Sequence, residues 1–329
     1  MVKILRTILF LFVLCHSMVN AQDMHFTQFY ANPLYLNPAF TGANACSRVG
    51  LTYRNQWPGI KKTYSSYMLS ADHFLPHYNL GVGMLVANDV AGTGALKTTL
   101  INPSIAYEAK LSRDFGMRFG LQPGVTMKSI NFNQLTFGDQ LATGNSTSVE
   151  SQKPNRVYFD MGAGILCYTS KFWGGVSIAH FNQSNESLLD NEDAIRPLKI
   201  SVHTGAKFLI NEDDKVMPLK SITPAIHYRH QQKFDQLDIG LYYGQGVINL
   251  GLWYRGIPVK RYLPNYPNHD AIAIILGAKT DRFNVGYSYD ITISKLANVT
   301  SGAHELNISY QFCKLKKRKK RIEVACPKF

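Results

Sequence analysis

Residues 303–312 read AHELNISYQF, and they decide the fold class because apolar and polar side chains alternate along them. The apolar face carries Leu306, Ile308, Tyr310 and Phe312, and the polar face carries Asn307, Ser309 and Gln311. A period of two is typical of a β-strand whose two faces meet different environments. Residues 282–292, RFNVGYSYDIT, repeat the pattern and predict a second strand of the same kind.

Similar segments of about ten residues recur along the chain, separated by Gly, Pro, Asn, Asp or Lys. We predict strands at 47–57, 62–75, 79–89, 95–109, 116–129, 157–169, 171–182, 198–209, 218–230, 235–243, 246–255, 270–279, 282–292 and 303–312. Aromatic residues recur near segment ends, as in the interfacial girdles of membrane barrels. These residues are Trp57, Phe74, Phe172, Trp173, Trp253, Tyr254 and Phe312.

The connections between these segments alternate in length. Long ones at 130–156, 183–197, 256–269 and 293–302 lie among the odd-numbered connections, whereas the even-numbered ones are short. Outer-membrane barrels have this asymmetry, with the short turns in the periplasm. The predicted fold is therefore all-β, a transmembrane antiparallel outer-membrane β-barrel of about 14 strands. The even strand count predicts that both termini are periplasmic.

The composition favours a membrane barrel over a soluble α/β enzyme. Charged residues make up 17% of the 329 residues, against roughly 25% in a typical soluble domain, and aromatic residues make up 12%. The formal charge is +13, but the excess is concentrated in residues 314–329, where Glu323 is the only acid. Because the basic character belongs to a tail, it does not indicate a nucleic-acid partner.

The N-terminus is typical of a secretory signal peptide. Lys3 and Arg6 precede a short apolar run, and small or branched residues stand before a cleavage position after Ala21. The run is too short for a membrane helix, which needs about 20 residues. The predicted organisation is a signal peptide at 1–21, an ordered N-terminal lead-in or plug segment at 22–46, the barrel at 47–312 and a basic periplasmic tail at 313–329.

The cysteines and histidines indicate no metal or redox site. Cys46, Cys167, Cys313 and Cys326 show no CxxC spacing. Cys313 and Cys326 flank the basic tail. Two interpretations of this pair stay open, a disulfide between them and two unrelated thiols. The close histidine pairs, His73 with His77 and His227 with His230, lie on predicted strands at separations that suit no shared ion.

No catalytic motif stands out. The sequence contains no G-x-S-x-G elbow, no Walker loop and no H-E-x-x-H helix. Ser–His pairs such as Ser70 and His73 are the weak alternative for a barrel enzyme. We therefore predict no catalytic residues, no bound cofactor and no enzymatic activity.

The most distinctive stretch is 26–42, FTQFYANPLYLNPAFTG. Its two Asn-Pro steps and Gly42 exclude a continuous helix and predict a fixed series of turns. The aromatic and leucine residues between them require burial, so we expect an ordered segment packed against the barrel that occupies or underlies the lumen. After the first strand comes the block YRNQW at 53–57.

These stretches resemble the PorP/SprF family of type IX secretion membrane proteins of Bacteroidota. The pattern F-x-Q-[FY]-x-x-N-P-L-x-L-N-P-A-[FY]-x-G matches 26–42, Y-R-x-Q-W matches 53–57, and LGVGM at 80–84 also fits. A structural role and a partner-docking role both stay open for the motif residues. They are Gln28, Asn32, Pro33, Asn37, Pro38, Gly42, Arg54, Gln56 and Trp57.

The resemblance implies an outer-membrane barrel that supports export or surface attachment of secreted cargo proteins with a C-terminal sorting domain, and of gliding adhesins in motile species. Implied partners are such cargo and other type IX secretion or periplasmic envelope components, besides outer-membrane lipid. Alternatives are a general porin or small-molecule transporter, and a structural anchor.

The basic tail has three interpretations, which are contact with a periplasmic partner, contact with anionic lipid, or a solvated end. Its charged core is Lys316, Lys317, Arg318, Lys319, Lys320 and Arg321.

Overall fold

The computed structural model describes residues 23–44, 46–60, 64–92, 96–132, 135–144, 154–189, 193–210, 220–263, 266–294, 297–312 and 324. Its strands are β1 Ser47–Gln56, β2 Tyr64–Leu75, β3 Leu80–Ala91, β4 Leu96–Lys110, β5 Gly116–Ser129, β6 Asn155–Tyr168, β7 Phe172–Ala179, β8 Lys199–Ala206, β9 Lys220–Gln231, β10 Phe234–Gln245, β11 Ile248–Leu263, β12 Tyr266–Lys279, β13 Phe283–Thr292 and β14 Ala303–Phe312. After Lys207, a short continuation of β8 at Phe208–Leu209 also pairs with β9.

The strands form one antiparallel sheet that closes on itself. Each strand pairs with its neighbours in the sequence, and β14 pairs with β1 from Ser47 opposite Phe312 to Gln56 opposite Ala303. The predicted closed barrel of 14 strands is therefore confirmed. We call the end with the β1–β2, β5–β6 and β7–β8 connections the loop mouth, and the opposite end the turn mouth.

The barrel wall is apolar outside, and its inner face combines polar and charged side chains with apolar clusters that pack on residues 23–44. On β14, Leu306 and Ile308 are about two-fifths exposed, whereas Asn307 and Ser309, which alternate with them, are almost fully buried. The alternation is the reverse of that in a soluble barrel, because the outward face carries the large apolar side chains. Such an outer surface is typical of a barrel embedded in lipid, where closure leaves no unpaired strand edge.

The expected aromatic girdle is only partly correct. Phe172 and Phe312 point outward and are more than half exposed, but Phe74, Trp173 and Trp253 are buried in the lumen. Successive side chains of a strand point to opposite faces, so Phe172 and its neighbour Trp173 cannot both face lipid.

The predicted long connection at 256–269 is mostly strand. β11 and β12 extend past the predicted boundaries and pair as far as Leu263 opposite Tyr266. The pairing register shifts after Arg255 and again after Ile257. These shifts accommodate Pro258 and Gly256, whose φ is 149°. Proline and glycine suggest a loop in the sequence, but both are tolerated at a β-bulge, which is why the prediction was wrong here.

Helices are few and short in the described residues. They are α1 Pro33–Leu36, a 3₁₀ turn at Pro38–Phe40, α2 Gly138–Thr143 and α3 Ala297–Thr300. No helix in this part of the chain is long and apolar enough to span a membrane. Cys46 is disulfide-bonded and Cys167 is free, whereas Cys313 and Cys326 lie outside the described residues.

Residues 23–44, which we call the lumen segment, lie inside the barrel. Its aromatic side chains pack on inward-facing residues of the wall, including Phe29 on Trp253 and Tyr30 on Trp173. The predicted turns are confirmed, since α1 and the 3₁₀ turn each begin at the proline of an Asn-Pro step. Val324 is buried in the same apolar cluster.

Glycines in the wall allow the lumen segment to approach closely. A Cβ atom on Gly120 would lie 2.3 Å from the Ala39 nitrogen, and one on Gly164 would lie 2.0 Å from the Asn37 side-chain oxygen. Real Cβ atoms do not approach other atoms so closely, so β5 and β6 require glycine at these two positions. The wall is therefore shaped to hold residues 37–39.

We expect Gly120→Ala to destabilise the folded barrel by about 1–3 kcal/mol, because the added methyl group overlaps the backbone of residues 38 and 39. The free energy of unfolding in urea, measured in detergent micelles, checks this. Gly138→Ala is the matched control, since nothing lies within 4 Å of its Cβ position. Equal effects of the two substitutions would contradict the close packing.

Candidate functional site

The lumen segment runs through the barrel from one mouth to the other. Asp23 contacts His180 and Arg196 of the β7–β8 connection at the loop mouth. Gly42 donates its N–H to Asp72, near the end of β2 at the turn mouth. Asp23 and the end of β14 therefore lie at opposite mouths, whereas the side on which the two termini lie stays a prediction because residues 1–22 are outside the described residues. An even number of strands puts the start of β1 and the end of β14 at the same mouth. The lumen segment crosses the barrel once more before β1, which puts Asp23 at the other mouth.

A network of buried charges surrounds the Thr27 hydroxyl. The hydroxyl donates to the Asp290 carboxylate, with oxygen–oxygen distances of 2.7 and 2.8 Å. It accepts from Arg54 at 2.7 Å and from Arg255 at 3.0 Å. Both arginines also pair directly with Asp290, at 2.9 and 3.0 Å. One hydroxyl of the lumen segment thus connects charged groups of three wall strands, β1, β11 and β13.

Glu305 of β14 holds the neighbouring backbone. Its carboxylate accepts the N–H groups of Thr27 at 2.6 Å and Gln28 at 3.0 Å, and it pairs with Arg54 at 3.2 Å. The Gln28 side chain is fully buried and donates to Gly286, Ser288 and the Glu305 carbonyl. A buried charge without such partners is strongly unfavourable, so the wall and the lumen segment satisfy each other.

The two asparagines of the Asn-Pro steps attach the segment to the wall. Asn32 accepts from Thr52 at 2.5 Å and donates to the Gln28 carbonyl. Asn37 accepts from the Ala39 N–H at 2.8 Å and donates to the carbonyls of Ile165 and Val176. Pro33 and Pro38 begin the short helical turns that aim these amides.

Arg118 holds the end of the segment at the turn mouth. Its side chain is fully buried and donates to the carbonyls of Ala39, at 2.9 Å, and Thr41. Gly42 follows with a φ of 64°, and a Cβ there would lie 2.6 Å from the Gly81 Cα atom. The position therefore requires glycine for both conformation and space.

We expect Thr27→Val to lower the free energy of unfolding by about 1–3 kcal/mol, because it leaves buried partners of the hydroxyl without their hydrogen bonds. Urea unfolding in detergent measures the loss. Thr126→Val is the matched control, since the buried Thr126 hydroxyl has no hydrogen-bond partner among the described residues. A loss as large in the control variant would contradict a specific role for the network.

A second charged cluster fixes the segment at the loop mouth. The Asp23 carboxylate lies 2.7 Å from His180, 2.8 Å from Arg196 and 2.7 Å from Lys199. His180 also hydrogen-bonds Asp160 at 2.7 Å. Burial disfavours the charged imidazole, but Asp23 and the two side-chain hydrogen bonds outweigh it and raise the pKa of His180 above its ordinary value of 6.5.

The stabilisation from His180 is expected to depend on pH. Its folded-state pKa is raised, so its contribution is fully present below the ordinary pKa and is lost as the pH rises through the folded value. We expect the destabilisation by His180→Gln to be largest near about pH 6 and to shrink as the pH rises through the raised folded-state pKa. Urea unfolding across this range, with His77→Gln on the exposed β2–β3 turn as control, measures it. A pH-independent difference between wild type and His180→Gln would contradict this assignment.

Above the lumen segment, the loop mouth opens into two cavities, which together we call the vestibule. The smaller is about 520 Å³ and the larger about 770 Å³. Both are lined by Asp23, His25, Gln56, Trp57 and Lys199. Trp57 has a φ of 62° and donates its N–H to the Gly302 carbonyl, which turns the chain at the rim.

The structure brings the motif residues together around the lumen segment. Gln28, Asn32, Asn37 and Arg54 form hydrogen bonds between the lumen segment and the wall. Pro33, Pro38 and Gly42 set the turns of the segment, and Gln56 and Trp57 line the vestibule. The basic-tail residues 316–321 lie outside the described residues, so their role stays a prediction.

Sequence reasoning missed the wall partners, above all Asp290, Glu305 and Arg255. A charged residue at a polar-face position of a predicted barrel strand is the signal that points to them, since it must face the lumen. It does not reveal which charges meet. That depends on the barrel geometry.

The family model described as type IX secretion system membrane protein PorP/SprF matches residues 18–310. The chain belongs to this family. The match spans the lumen segment and extends through the strands to residue 310. An apolar outer surface on a closed barrel, in a family of secretion membrane proteins, fits a location in the outer membrane.

Solved structures similar to this chain include a toluene transporter and a BamA. The Pseudomonas putida toluene transporter TodX is 12% identical, with a TM-score of 0.47, over 89% of this chain and 95% of that chain. BamA from Haemophilus ducreyi lacking POTRA domains 1-3 is 8% identical, with a TM-score of 0.41, over 82% and 71%. No curated protein matches the sequence. Likeness at this level carries no argument about function.

Proposed function

We propose that the chain is a non-enzymatic outer-membrane component of the type IX secretion system that supports export or surface attachment of cargo proteins with a C-terminal sorting domain. In motile species the cargo would include gliding adhesins. Family membership supports the secretion role. The observation that carries the proposal is the lumen segment, which occupies the interior of the barrel and leaves the vestibule as the concave surface for a partner.

The proposed orientation places the loop mouth outside the cell and the turn mouth in the periplasm. Long outer loops and short periplasmic turns are the rule for such barrels. The vestibule then faces the side on which secreted cargo emerges, while β1 begins and β14 ends on the periplasmic side. The disulfide at Cys46 fits folding in an oxidising compartment. The signal peptide at 1–21 and the domain boundaries belong to the same proposal.

The rival function is a general porin or small-molecule transporter. It requires a continuous path through the lumen, where the described structure places Phe29, Tyr30 and the charged network around Thr27. We expect the intact protein to show low conductance in planar bilayers. Deleting residues 22–45 should raise the conductance, provided that heat-modifiable migration shows a folded barrel. Unchanged conductance after the deletion would contradict the plug.

The secretion role is tested by comparing secreted and surface-attached proteins between wild-type cells and a deletion strain by mass spectrometry. We expect selective loss of one or a few proteins that share a C-terminal domain, restored by the wild-type gene supplied in trans. An unchanged set of exported proteins, in a strain that also lacks any paralogue, would overturn the role and favour the porin.

A further inference from the structure

The apolar cluster in the turn-mouth half of the lumen contains a residue from beyond the last strand. Its wall members lie near strand ends at this mouth, such as Tyr168, the last residue of β6, and Trp173, the second residue of β7. Val324 packs in the same cluster and is only 5% exposed, although β14 ends at Phe312. The chain therefore returns to the barrel after leaving it at the end of β14.

Cys46 is suited to attach this returning part of the chain. It stands one residue before β1, at the turn mouth, and is disulfide-bonded. Cys167 is free, and the remaining cysteines, Cys15, Cys313 and Cys326, lie outside the described residues. Cys15 belongs to the predicted signal peptide. With that peptide removed, the bond joins Cys46 to Cys313 or Cys326, and it excludes a disulfide between those two.

Two observations favour Cys326 as the partner. Side chains directly opposite each other on antiparallel strands have Cβ atoms about 4.5–5.5 Å apart, whereas a disulfide needs about 3.5–4.5 Å. Cys313 would be opposed to Cys46 in this way, one step beyond Ser47 opposite Phe312. Cys326 comes two positions after the buried Val324, and two residues of extended chain span about 7 Å, so it can reach the same mouth.

Val324 needs such an attachment to stay in the lumen. The free energy gained by burying one valine side chain is about as large as the cost of ordering one or two backbone residues. A disulfide close by in the sequence holds the segment beside the cluster and raises its effective concentration there. Burial of Val324 and the bond at Cys46 therefore support each other.

We propose that residues 322–329 dock in the turn mouth and cover the apolar cluster. Val324 enters the cluster, and Cys326 is disulfide-bonded to Cys46. Formation of the bond oxidises the two thiols, and their two protons and two electrons pass by exchange to a protein disulfide, which is reduced to two thiols. The basic stretch at 316–321 then becomes a loop that is held at both ends, by β14 and by Val324. This inference is independent of the proposed secretion role.

Tryptic digestion of the full mature protein in detergent, with free thiols first blocked by N-ethylmaleimide, tests the covalent attachment. Trypsin cleaves the basic stretch, and without reductant we expect mass spectrometry to find the fragment that begins at Ile322 linked to Cys46. Dithiothreitol should release it. Cys313→Ser should leave the attachment unchanged, whereas Cys326→Ser should abolish it. Cys167→Ser, which removes the free thiol, is the matched control.

Release of this fragment from the wild type without reductant would overturn the proposal, because Cys46 would then be bonded to another cysteine. Loss of the attachment in Cys313→Ser would also overturn it, since a bond between Cys313 and Cys326 would then be what holds the fragment.

The docking of Val324 is tested by equilibrating the protein with a glutathione redox buffer. Val324→Asp puts a charge into the apolar cluster, so we expect the ratio of bonded to reduced Cys46 to fall about tenfold or more. Val299→Asp is the matched control and should leave the ratio unchanged, since Val299 is 58% exposed. Heat-modifiable migration checks that both variants are folded. Equal ratios in the wild type and Val324→Asp would contradict the docking.

Discussion

Charged side chains inside a closed barrel need partners, and here they pair with one another around the N-terminal segment, which adds the Thr27 hydroxyl and two backbone N–H groups. Arg54, Arg255, Asp290 and Glu305 face the lumen from different strands, and they meet around Thr27 and its backbone. Removing one member of such a buried group leaves an uncompensated charge, which costs about 3–5 kcal/mol. The segment is therefore part of the interior of the barrel, as a core is part of a soluble domain.

The alternation of side chains along the strands determines both the surface that meets lipid and the surface that faces the lumen. Alternation along each strand puts apolar side chains toward lipid and leaves polar ones in the lumen, where they bind the segment and form the floor of the vestibule. Because the segment occupies the interior along the length of the barrel, we interpret the mouth, with Gln56, Trp57 and Lys199 on its wall, as the surface for recognition.

The strands were predictable from sequence because period-two alternation in residues such as 303–312 is local information. The long β11–β12 hairpin was not, because Gly256 and Pro258 suggest a loop unless the neighbouring strand is known to absorb them as a bulge. The turns of the lumen segment were predictable from its Asn-Pro steps. Its course was not, since the contact of Asp23 with His180 and Arg196 joins residues more than 150 positions apart in sequence. Trp173 and Trp253 point into the lumen. A girdle residue must therefore be identified by the face of the strand on which it lies as well as by its place near a strand end.

Hydrogen–deuterium exchange of the purified barrel in detergent tests the central claim most directly. The N–H groups of Thr27 and Gln28 bond the buried Glu305 carboxylate, so peptides covering residues 24–41 should exchange as slowly as those of β13 and β14. Rapid exchange of residues 24–41 beside protected strands would contradict the account, because it would mean that the segment does not belong to the folded interior.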